Sequence, residues 1–512
     1  MILYAEKGSD VAALLKDAGF PFLCGGTGSC GKCKIRVLSG EVGETDADRA
    51  FFSKEELAAG YRLACMIGTA EDDIELEYSN AEEDIYIPDS KGSQGTVEAN
   101  TEAADGNTQN ADDGTQNRTV PEKITFFSIA IDIGTTTIAA AAVERTTGRV
   151  IAVKTGINHQ RSFGADVISR IVASNLGSGP KMRDTVIRDI NGLIDSIMQE
   201  NSLIPAGLDR IVIAGNTTMQ HIFAGYSCEG LGVAPFAPVS TALTDTPSGL
   251  LLPGISAFVG ADIVAGIYAC GFTDELSLLI DLGTNGELAL GTKDRILVAS
   301  TAAGPAFEGG NISCGTAGIP GAICDVSLCD EDGKDPIVLK LIGDAEKPVG
   351  ICGTGVIALV AELIKQGLVD GTGLLDARLH GRLKLSTDGK VTFTQKDIRE
   401  LQLAVAAVRG GIETLLEEYG AAAEDIKHVF IAGGFGTELD PEKAAVIGLL
   451  PAVLKDRCES VGNSSLNGAI KYASDTDGAE ALDSIVKVSR EIVLADSDTF
   501  KAHFMEYMNF DQ

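Results

Sequence analysis

The chain has few basic residues for its length. Of its 512 residues, 41 are Lys or Arg and 73 are Asp or Glu, so the formal net charge is −32. Proteins that bind nucleic acids contact phosphates through basic surfaces, and this chain lacks an excess of positive charge. The composition therefore argues against a nucleic-acid-binding protein.

Long apolar runs and a basic leader are lacking as well. The best apolar runs are interrupted by Gly, Asp or Glu before they reach the roughly 20 residues that a membrane-spanning helix needs. Residues 1–7 have no basic segment ahead of an apolar one, as a secretory signal peptide would. We therefore expect no membrane span and no signal peptide.

The sequence also lacks the regular cysteine framework of a disulfide-rich protein. Seven of the 11 cysteines are scattered among apolar neighbours: Cys228, Cys270, Cys314, Cys324, Cys329, Cys352 and Cys458. Such a distribution is typical of buried thiols in a reducing compartment. We expect a cytoplasmic protein.

The other four cysteines lie near the N-terminus. Three occur in Cys-Gly-Gly-Thr-Gly-Ser-Cys-Gly-Lys-Cys at residues 24–33, and the fourth ends Arg-Leu-Ala-Cys; they are Cys24, Cys30, Cys33 and Cys65. Four thiolates in such an array hold the two irons of a 2Fe–2S cluster, and the glycines allow a tight loop around it. A structural zinc ion is the alternative, but zinc sites usually pair two short Cys-x2–4-Cys segments. Three ligands on one loop favour the cluster.

This spacing resembles that of 2Fe–2S ferredoxins, with one more residue in the first gap than in the plant type. The resemblance covers roughly residues 1–80 and implies a β-grasp domain that carries one electron at a time. Residues 2–4, 34–38 and 73–78 have the pattern of strands, and residues 10–18 have helical spacing of apolar residues.

A polar stretch at residues 81–121 separates this domain from the rest of the chain. Apolar residues are almost absent after Ile87, and Asn, Gln, Thr, Gly, Ala and acidic residues dominate. Ordering such a segment costs more conformational entropy than burial returns. We expect a flexible linker with a reach of roughly 30 Å, which lets the ferredoxin domain move between an electron donor and an acceptor.

An Asp-x-Gly-Thr motif occurs twice in the body of the chain. Ile-Asp-Ile-Gly-Thr-Thr-Thr spans residues 131–137 and Ile-Asp-Leu-Gly-Thr-Asn-Gly spans residues 280–286, each between apolar runs. Each copy predicts a strand, a tight turn and an antiparallel strand. The turn offers N–H groups and polar side chains to an anion, and the Asp suits Mg²⁺. Two copies in equivalent contexts indicate a duplicated fold with nucleotide phosphates between its halves.

A third element, Val-Phe-Ile-Ala-Gly-Gly-Phe-Gly-Thr at residues 429–437, predicts a strand that ends in bare backbone, where a base or ribose can lie. It follows residues 397–419, a predicted helix with one apolar stripe. In order and spacing the three elements resemble the phosphate-1, phosphate-2 and adenosine motifs of the actin, sugar-kinase and heat-shock chaperone (ASKHA) superfamily. The resemblance implies a two-lobed, actin-like and RNase H-like ATPase.

Four further segments narrow the resemblance to one family within this superfamily: residues 213–221, 232–236, 253–262 and 303–310. Together with the ferredoxin-like N-terminus, they are similar to segments of the reductive activators of corrinoid proteins. That resemblance implies ATP-dependent reduction of the corrinoid of a partner protein, from inactive Co(II) to Co(I), in a methyltransferase system. It also implies a homodimer and an upstream electron donor such as a ferredoxin, a flavodoxin or a reductase.

The predicted organisation is an α/β protein of several domains: a 2Fe–2S ferredoxin domain at residues 1–80, a flexible acidic linker at 81–121, a first ATPase lobe at 122–272 and a second lobe at 273–512. The expected cofactors are the 2Fe–2S cluster, ATP and Mg²⁺.

The resemblance also implies roles for single residues. Asp132 and Asp281 are expected to hold Mg²⁺, and Asp281 to orient the attacking water. The expected phosphate-binding residues are Gly134, Thr135, Thr136, Gly283, Thr284 and Asn285, and the expected borders of the adenosine pocket are Gly433, Gly434 and Phe435. Glu287 and Glu308 are weaker candidates for supporting carboxylates. His221, beside apolar residues, fits a packed helix residue better than a cobalt ligand.

Other functions stay open on these residues alone. One is an ATP-driven electron donor to another low-potential metalloenzyme, although activators of radical dehydratases usually hold a 4Fe–4S cluster between two subunits. Others are a small-molecule kinase with an appended redox sensor, and a non-catalytic redox-regulated binding protein. Loss of reduction in an Asp281→Asn variant with an intact cluster would favour coupling of ATP to electron transfer.

Overall fold

The structure is a computed structural model that describes residues 1–18, 20, 22, 28, 31, 33–78, 125–283, 285–327, 337–433, 439–475 and 477–510. The linker predicted at residues 81–121 lies outside the described residues. Some predicted site residues lie outside them as well: Cys24, Cys30, Thr284, Gly434 and Phe435.

The N-terminal domain packs an antiparallel sheet on a helix. Its elements are β1 (Ile2–Ala5), α1 (Val11–Asp17), β2 (Lys34–Ser39), α2 (Asp46–Phe51), α3 (Lys54–Ala58), β3 (Tyr61–Leu63) and β4 (Ile74–Glu77), and the strand order is β1-β4-β2-β3. Ile74 and Leu76, which alternate along β4, are buried with Val11 and Leu15 of α1. The strands and the helix predicted from the sequence in this domain are confirmed.

The first lobe is built on a six-stranded sheet of order β7-β6-β5-β8-β10-β9. Its elements are β5 (Phe127–Ile133), β6 (Thr137–Glu144), β7 (Val150–Ile157), α4 (Val167–Ala173), α5 (Gly179–Glu200), β8 (Leu208–Gly215), α6 (Thr217–Ala224), α7 (Glu229–Gly232), β9 (Thr244–Thr246), β10 (Gly249–Leu251) and α8 (Ala261–Cys270).

The second lobe has a six-stranded sheet of order β20-β19-β11-β12-β13-β21 and smaller sheets beside it. Its elements are β11 (Ser277–Leu282), β12 (Gly286–Thr292), β13 (Arg295–Thr301), β14 (Ala322–Ser327), β15 (Val338–Leu341), β16 (Gly350–Ile351), α9 (Gly353–Lys365), β17 (Arg382–Lys384), β18 (Thr392–Thr394), α10 (Gln395–Tyr419), β19 (His428–Ala432), α11 (Pro441–Val446), β20 (Cys458–Gly462), α12 (Ser464–Ser474), α13 (Gly478–Val488), β21 (Ser489–Glu491) and α14 (Asp498–Glu506).

The two large sheets repeat one arrangement. In the first, β5, β6 and β7 form an antiparallel meander, and β8 returns parallel to β5. In the second, β11, β12 and β13 form the meander, and β19 returns parallel to β11. Each Asp-x-Gly-Thr motif lies at the first turn of its meander. The duplicated two-lobed fold predicted from these motifs is confirmed.

Helices α8 and α12 connect the lobes. Val264 of α8 and Ala469 of α12 pack with Ala130 and Ala141 on one face of the first sheet. The opposite side of α8 packs on the second sheet, where Ile263 joins a buried cluster. Thus α12, although late in the chain, returns to the first lobe and reaches the end of β5. No helix in the described part of the chain is long and apolar enough to cross a membrane.

Candidate functional site

The phosphate-1 turn, residues 134–136, joins β5 to β6. A Cβ atom on Gly134 would lie 2.7 Å from the carbonyl oxygen of Thr137, so the turn requires glycine there. Asn216, the N-cap of α6, donates to Thr135 Oγ1 at 3.3 Å. The three predicted phosphate-1 residues therefore form one tight turn, with Asn216 beside it.

The carbonyl oxygens of this turn accept hydrogen bonds from buried donors. Asn158 donates from Nδ2 to the Gly134 carbonyl at 2.8 Å and from its backbone N–H to the Thr136 carbonyl at 3.0 Å. Arg170 donates from Nη2 to the Thr135 carbonyl at 2.5 Å. Because the carbonyls are engaged by these donors, the turn can present its N–H groups to an anion.

The phosphate-2 turn joins β11 to β12. Gly283 donates its N–H to the Asn285 carbonyl at 3.0 Å, and the Asn285 side chain hydrogen-bonds Glu287. Glu308 Oε1 lies 4.0 Å from the position that a Cβ atom on Gly283 would take. The structure thus places Gly283 and Asn285 in one turn, with Glu287 and Glu308 at its border.

The adenosine motif lies directly against the phosphate-2 strand. Ala432 at the end of β19 is paired with Asp281 of β11. Gly433 has φ +99°, and a Cβ atom there would lie 2.3 Å from the Leu282 carbonyl oxygen and 3.1 Å from Asp281 Oδ1. Only glycine allows this approach, which brings Gly433 beside the phosphate-2 carboxylate.

Four carboxylates in this region have raised pKa values: Asp132, Asp262, Asp281 and Glu287. Burial, together with the charges of Asp262 and Asp132, raises the pKa of Asp281 to about 7. Burial also raises the pKa of Asp262 to about 7, with a contribution from Asp132. The pKa of Glu287 is raised well above its ordinary value by burial and by Asp262 and Asp281. A bound cation would relieve this repulsion.

The described residues contain no group of three or more His, Cys, Asp or Glu side chains arranged to hold a metal ion. Mg²⁺ commonly keeps several waters and binds one or two carboxylates together with substrate phosphates. The carboxylates around the two turns therefore fit a Mg²⁺ ion that arrives with a nucleotide better than a resident metal.

The two motif aspartates have different surroundings. Asp132 accepts from Asn463 Nδ2 at 2.8 Å and from Ser465 Oγ at 2.7 Å, both at the start of α12. Burial raises the pKa of Asp132, and these two hydrogen bonds partly offset the increase. Among the described residues, none donates a hydrogen bond to the Asp281 carboxylate. No described side chain therefore competes with a cation or a water for the Asp281 oxygens.

Sequence reasoning assigned no role to Asp262, Asn158 or Arg170. Asp262 lies in the first turn of α8, where its Oδ1 accepts the Ile263 N–H at 2.9 Å. The only sequence signal is Gly-Ala-Asp at the start of an apolar helix, within residues 253–262. Asn158 and Arg170 belong to no motif, and only the tertiary fold brings them to the turn.

Two of the four predicted cluster ligands, Cys33 and Cys65, are described. Their Sγ atoms lie 3.2 Å apart, well beyond the roughly 2.0 Å of a disulfide bond. Gly28 and Gly31 in the cysteine loop have φ +74° and +68°, and a Cβ atom on Gly31 would lie 2.4 Å from the Phe51 ring. Two adjacent thiols, with two left-handed glycines in the same segment of the sequence, fit part of the ligand set of an iron–sulfur cluster.

His221 is a packed helix residue, the interpretation that the sequence favoured. Its side chain is buried, its Nδ1 lies 2.8 Å from the Thr217 carbonyl oxygen, and its Nε2 accepts the Val239 N–H at 3.0 Å. Burial lowers its pKa. With both ring nitrogens engaged, His221 has no lone pair available for a cobalt ion.

Three family models match the chain. The model for the 2Fe-2S iron-sulfur cluster binding domain matches residues 5–68, the model for the RACo middle region matches residues 127–275, and the model for the C-terminal domain of RACo, the ASKHA domain, matches residues 275–512. The matches cover the ferredoxin-like domain and both lobes of the body.

Named relatives share the same combination. The chain is 34% identical to the corrinoid activation enzyme RamQ of Eubacterium limosum over 418 residues. The aligned region covers 74% of this chain and 69% of the relative. The chain is also 33% identical over 280 residues to a protein of Methanosarcina barkeri, the reductase of the Co(II) methylated amine-specific corrinoid protein. This aligned region covers 49% of this chain and half of that relative. A solved reductive activator for corrinoid, iron-sulfur protein superposes with a TM-score of 0.68 at 28% identity, covering 99% of this chain and 96% of the other.

Proposed function

The chain belongs to the family of reductive activators of corrinoid proteins, and we propose that it uses ATP to reduce the Co(II) corrinoid of a partner protein to Co(I) in a methyltransferase system. The observation that carries this proposal is the presence on one chain of a 2Fe–2S domain and a two-lobed domain with a phosphate turn in each lobe. The named activities of the relatives support it.

ATP is required in this proposal because the reduction is uphill. When bound, the cluster supplies a one-electron carrier near about −400 mV. The Co(II)/Co(I) couple is lower, and each 59 mV of difference corresponds to about 1.4 kcal/mol for one electron. A ligand shifts an equilibrium only through different affinities for its two states. ATP must therefore favour the form of this chain that binds the Co(II) partner and stabilises Co(I).

Residues of both lobes would hold Mg-ATP. The phosphate-1 and phosphate-2 turns cradle the phosphates, and Gly433, with Gly434 and Phe435, borders the adenosine. Asp281, whose carboxylate accepts no hydrogen bond from the described residues, binds Mg²⁺ directly or through water, while Asp132 is fixed by α12 at the other strand end. Asp262, with a pKa of about 7, is a candidate to accept a proton from the attacking water.

The proposal also assigns the chain a partner, an electron donor, an oligomeric state and a compartment. The partner is a corrinoid protein, and an upstream ferredoxin, flavodoxin or reductase loads the cluster through the ferredoxin domain. The active form is a homodimer in the cytoplasm, where a reducing environment suits the buried and half-buried free thiols of the body.

An anaerobic absorbance assay tests the proposed function. The reduced chain is mixed with a Co(II) corrinoid protein, with and without Mg-ATP, while Co(I) absorbance is followed; a Cys65→Ser variant is the cluster-deficient control. We expect Co(I) only with wild-type chain and Mg-ATP. Equal Co(I) formation without nucleotide would contradict the requirement for ATP. If no Co(I) forms with any of several corrinoid partners, the corrinoid assignment fails.

A further inference from the structure

A buried arginine lies behind the phosphate-1 turn. Arg170 of α4 has a relative exposure of 0%. Its guanidinium donates to the carbonyls of Gly164 at 2.9 Å and Thr135 at 2.5 Å, and contacts Gln160 Oε1 at 3.5 Å and Met219 Sδ at 3.1 Å. All of these partners are uncharged.

The charge of Arg170 has no ionic partner among the described residues. Asp166, the N-cap of α4, attracts it at longer range but is not hydrogen-bonded to it. Burial lowers the pKa of Arg170 to about 10, so the guanidinium stays protonated at neutral pH. Because a buried charge is costly unless it is paired, an anion near this position would be bound favourably.

Neighbouring buried amides hold the guanidinium in place. Asn158 and Gln160 are both fully buried, and Asn158 Nδ2 lies 3.3 Å from Gln160 Oε1, the oxygen that Arg170 also contacts. Gln160 in turn donates from Nε2 to the Met182 carbonyl at 3.0 Å. The network joins α4 and α5 to the turn, so the Thr135 carbonyl has a fixed direction.

We propose that Arg170 is a positioning residue for a nucleoside di- or triphosphate. Its guanidinium holds the Thr135 carbonyl so that the N–H groups of the phosphate-1 turn are directed to the phosphates. The phosphates supply a counter-charge that no described residue provides. Two features support this function: the direct bond to the turn and the absence of a carboxylate partner among the described residues. The inference rests on the proposed binding of ATP.

The test compares three variants of the full chain. Arg170→Met removes charge and donors, and Arg170→Lys keeps the charge but loses the planar set of donors. Arg183→Met is the matched control, because Arg183 of α5 donates to the Phe223 carbonyl at 2.9 Å rather than to the turn. Calorimetry measures the binding of Mg-ADP and of adenosine, while visible absorbance and thermal unfolding report the cluster and the fold.

We expect Arg170→Met to lose roughly tenfold or more in Mg-ADP affinity, Arg170→Lys to lose less, and all variants to keep the wild-type affinity for adenosine. If Arg170→Met does not fold, Arg170→Lys alone must show the selective loss for Mg-ADP. Unchanged Mg-ADP affinity, or equal losses for Mg-ADP and adenosine, would overturn the inference. A wild-type chain that binds neither ligand would instead overturn the proposed function.

Discussion

The two phosphate turns occupy the same place in duplicated sheets, yet their surroundings differ. The carbonyls of the first turn are held by Asn158 and the cationic Arg170, and its aspartate is fixed by two side chains of α12. The second turn is bordered by carboxylates with raised pKa values, and its Asp281 accepts no hydrogen bond from the described residues. The first turn is held by hydrogen bonds and backed by a positive charge, and the second is bordered by carboxylates.

We infer from this difference that the halves of the duplicated fold have different roles toward the proposed nucleotide. A turn whose carbonyls are engaged suits the binding of phosphate oxygens through its N–H groups. An acidic turn with an available carboxylate suits Mg²⁺ and water. In the proposed complex with Mg-ATP both turns contact one nucleotide. Substitution of single groups at each turn tests whether their roles differ.

We expect the largest effect on Co(I) formation from a substitution of Asp281. Asp281→Asn removes the charge that we expect to bind Mg²⁺, so ATP-dependent Co(I) formation should fall by roughly 100-fold or more. Asp132→Asn keeps a polar side chain beside Asn463 and Ser465 and should lose about tenfold or less. The rate of Co(I) absorbance change at equal cluster content measures both. Equal losses in the two variants would show that the two aspartates do not differ in their contribution to Co(I) formation.

We expect a smaller effect from the removal of Asn158, which holds the first turn from behind. Asn158→Leu deletes the donor to the Gly134 carbonyl and should weaken Mg-ATP binding roughly tenfold. Asn201→Leu is the matched control, because Asn201 donates from Nδ2 to the Ile197 carbonyl at the end of α5 at 2.9 Å. Calorimetric titration of both variants provides the comparison. A loss shared by the control would point to a general effect on the first lobe.

The smallest effect concerns stability and pH. The pKa of Asp262 is raised to about 7 in the folded chain, against about 3.9 when unfolded, so its ionisation opposes folding. The associated stability is fully present below about pH 4 and is lost as the pH rises through 7. Asp262→Asn should therefore stabilise the Mg²⁺-free chain by about 1 kcal/mol at pH 8 and less at pH 5.5.

Urea unfolding followed by circular dichroism at the two pH values measures this change. Asp195→Asn, at an exposed position of α5, is the control and should show no such pH dependence. Adding Mg-ATP should reduce the difference in stability between the variant and the wild-type chain, because the cation stabilises the charged form of Asp262 in the wild-type chain. A destabilised Asp262→Asn variant at pH 8 would show that the buried charge of Asp262 is not a cost to the fold.

Much of the fold could be predicted from local signals. The two Asp-x-Gly-Thr copies between apolar runs predicted both strand–turn–strand units, and these are the pairs β5–β6 and β11–β12. The apolar stripe at residues 397–419 predicted α10 to within its first turn. These signals are short in sequence, so neighbouring residues alone determine them.

The groups that distinguish the turns could not be predicted in this way. Arg170 and Asn158 reach the first turn from later elements, and no spacing rule links them to it. Ser465 and Asn463 are more than 300 residues from Asp132, and they reach it because α12 returns to the first lobe. A buried arginine also looks like a surface residue in the sequence, since Arg is mostly exposed in proteins.

The most direct test of the asymmetry is the binding of Mn²⁺, a paramagnetic substitute for Mg²⁺, in the presence of ATP. Electron paramagnetic resonance reports the protein-bound ion in the wild-type chain, Asp132→Asn and Asp281→Asn at equal ATP occupancy. We expect wild-type and Asp132→Asn chains to bind Mn²⁺ with affinities within about tenfold of each other, and Asp281→Asn to bind it far more weakly. Retention of Mn²⁺ by Asp281→Asn together with its loss in Asp132→Asn would contradict the division of work between the turns.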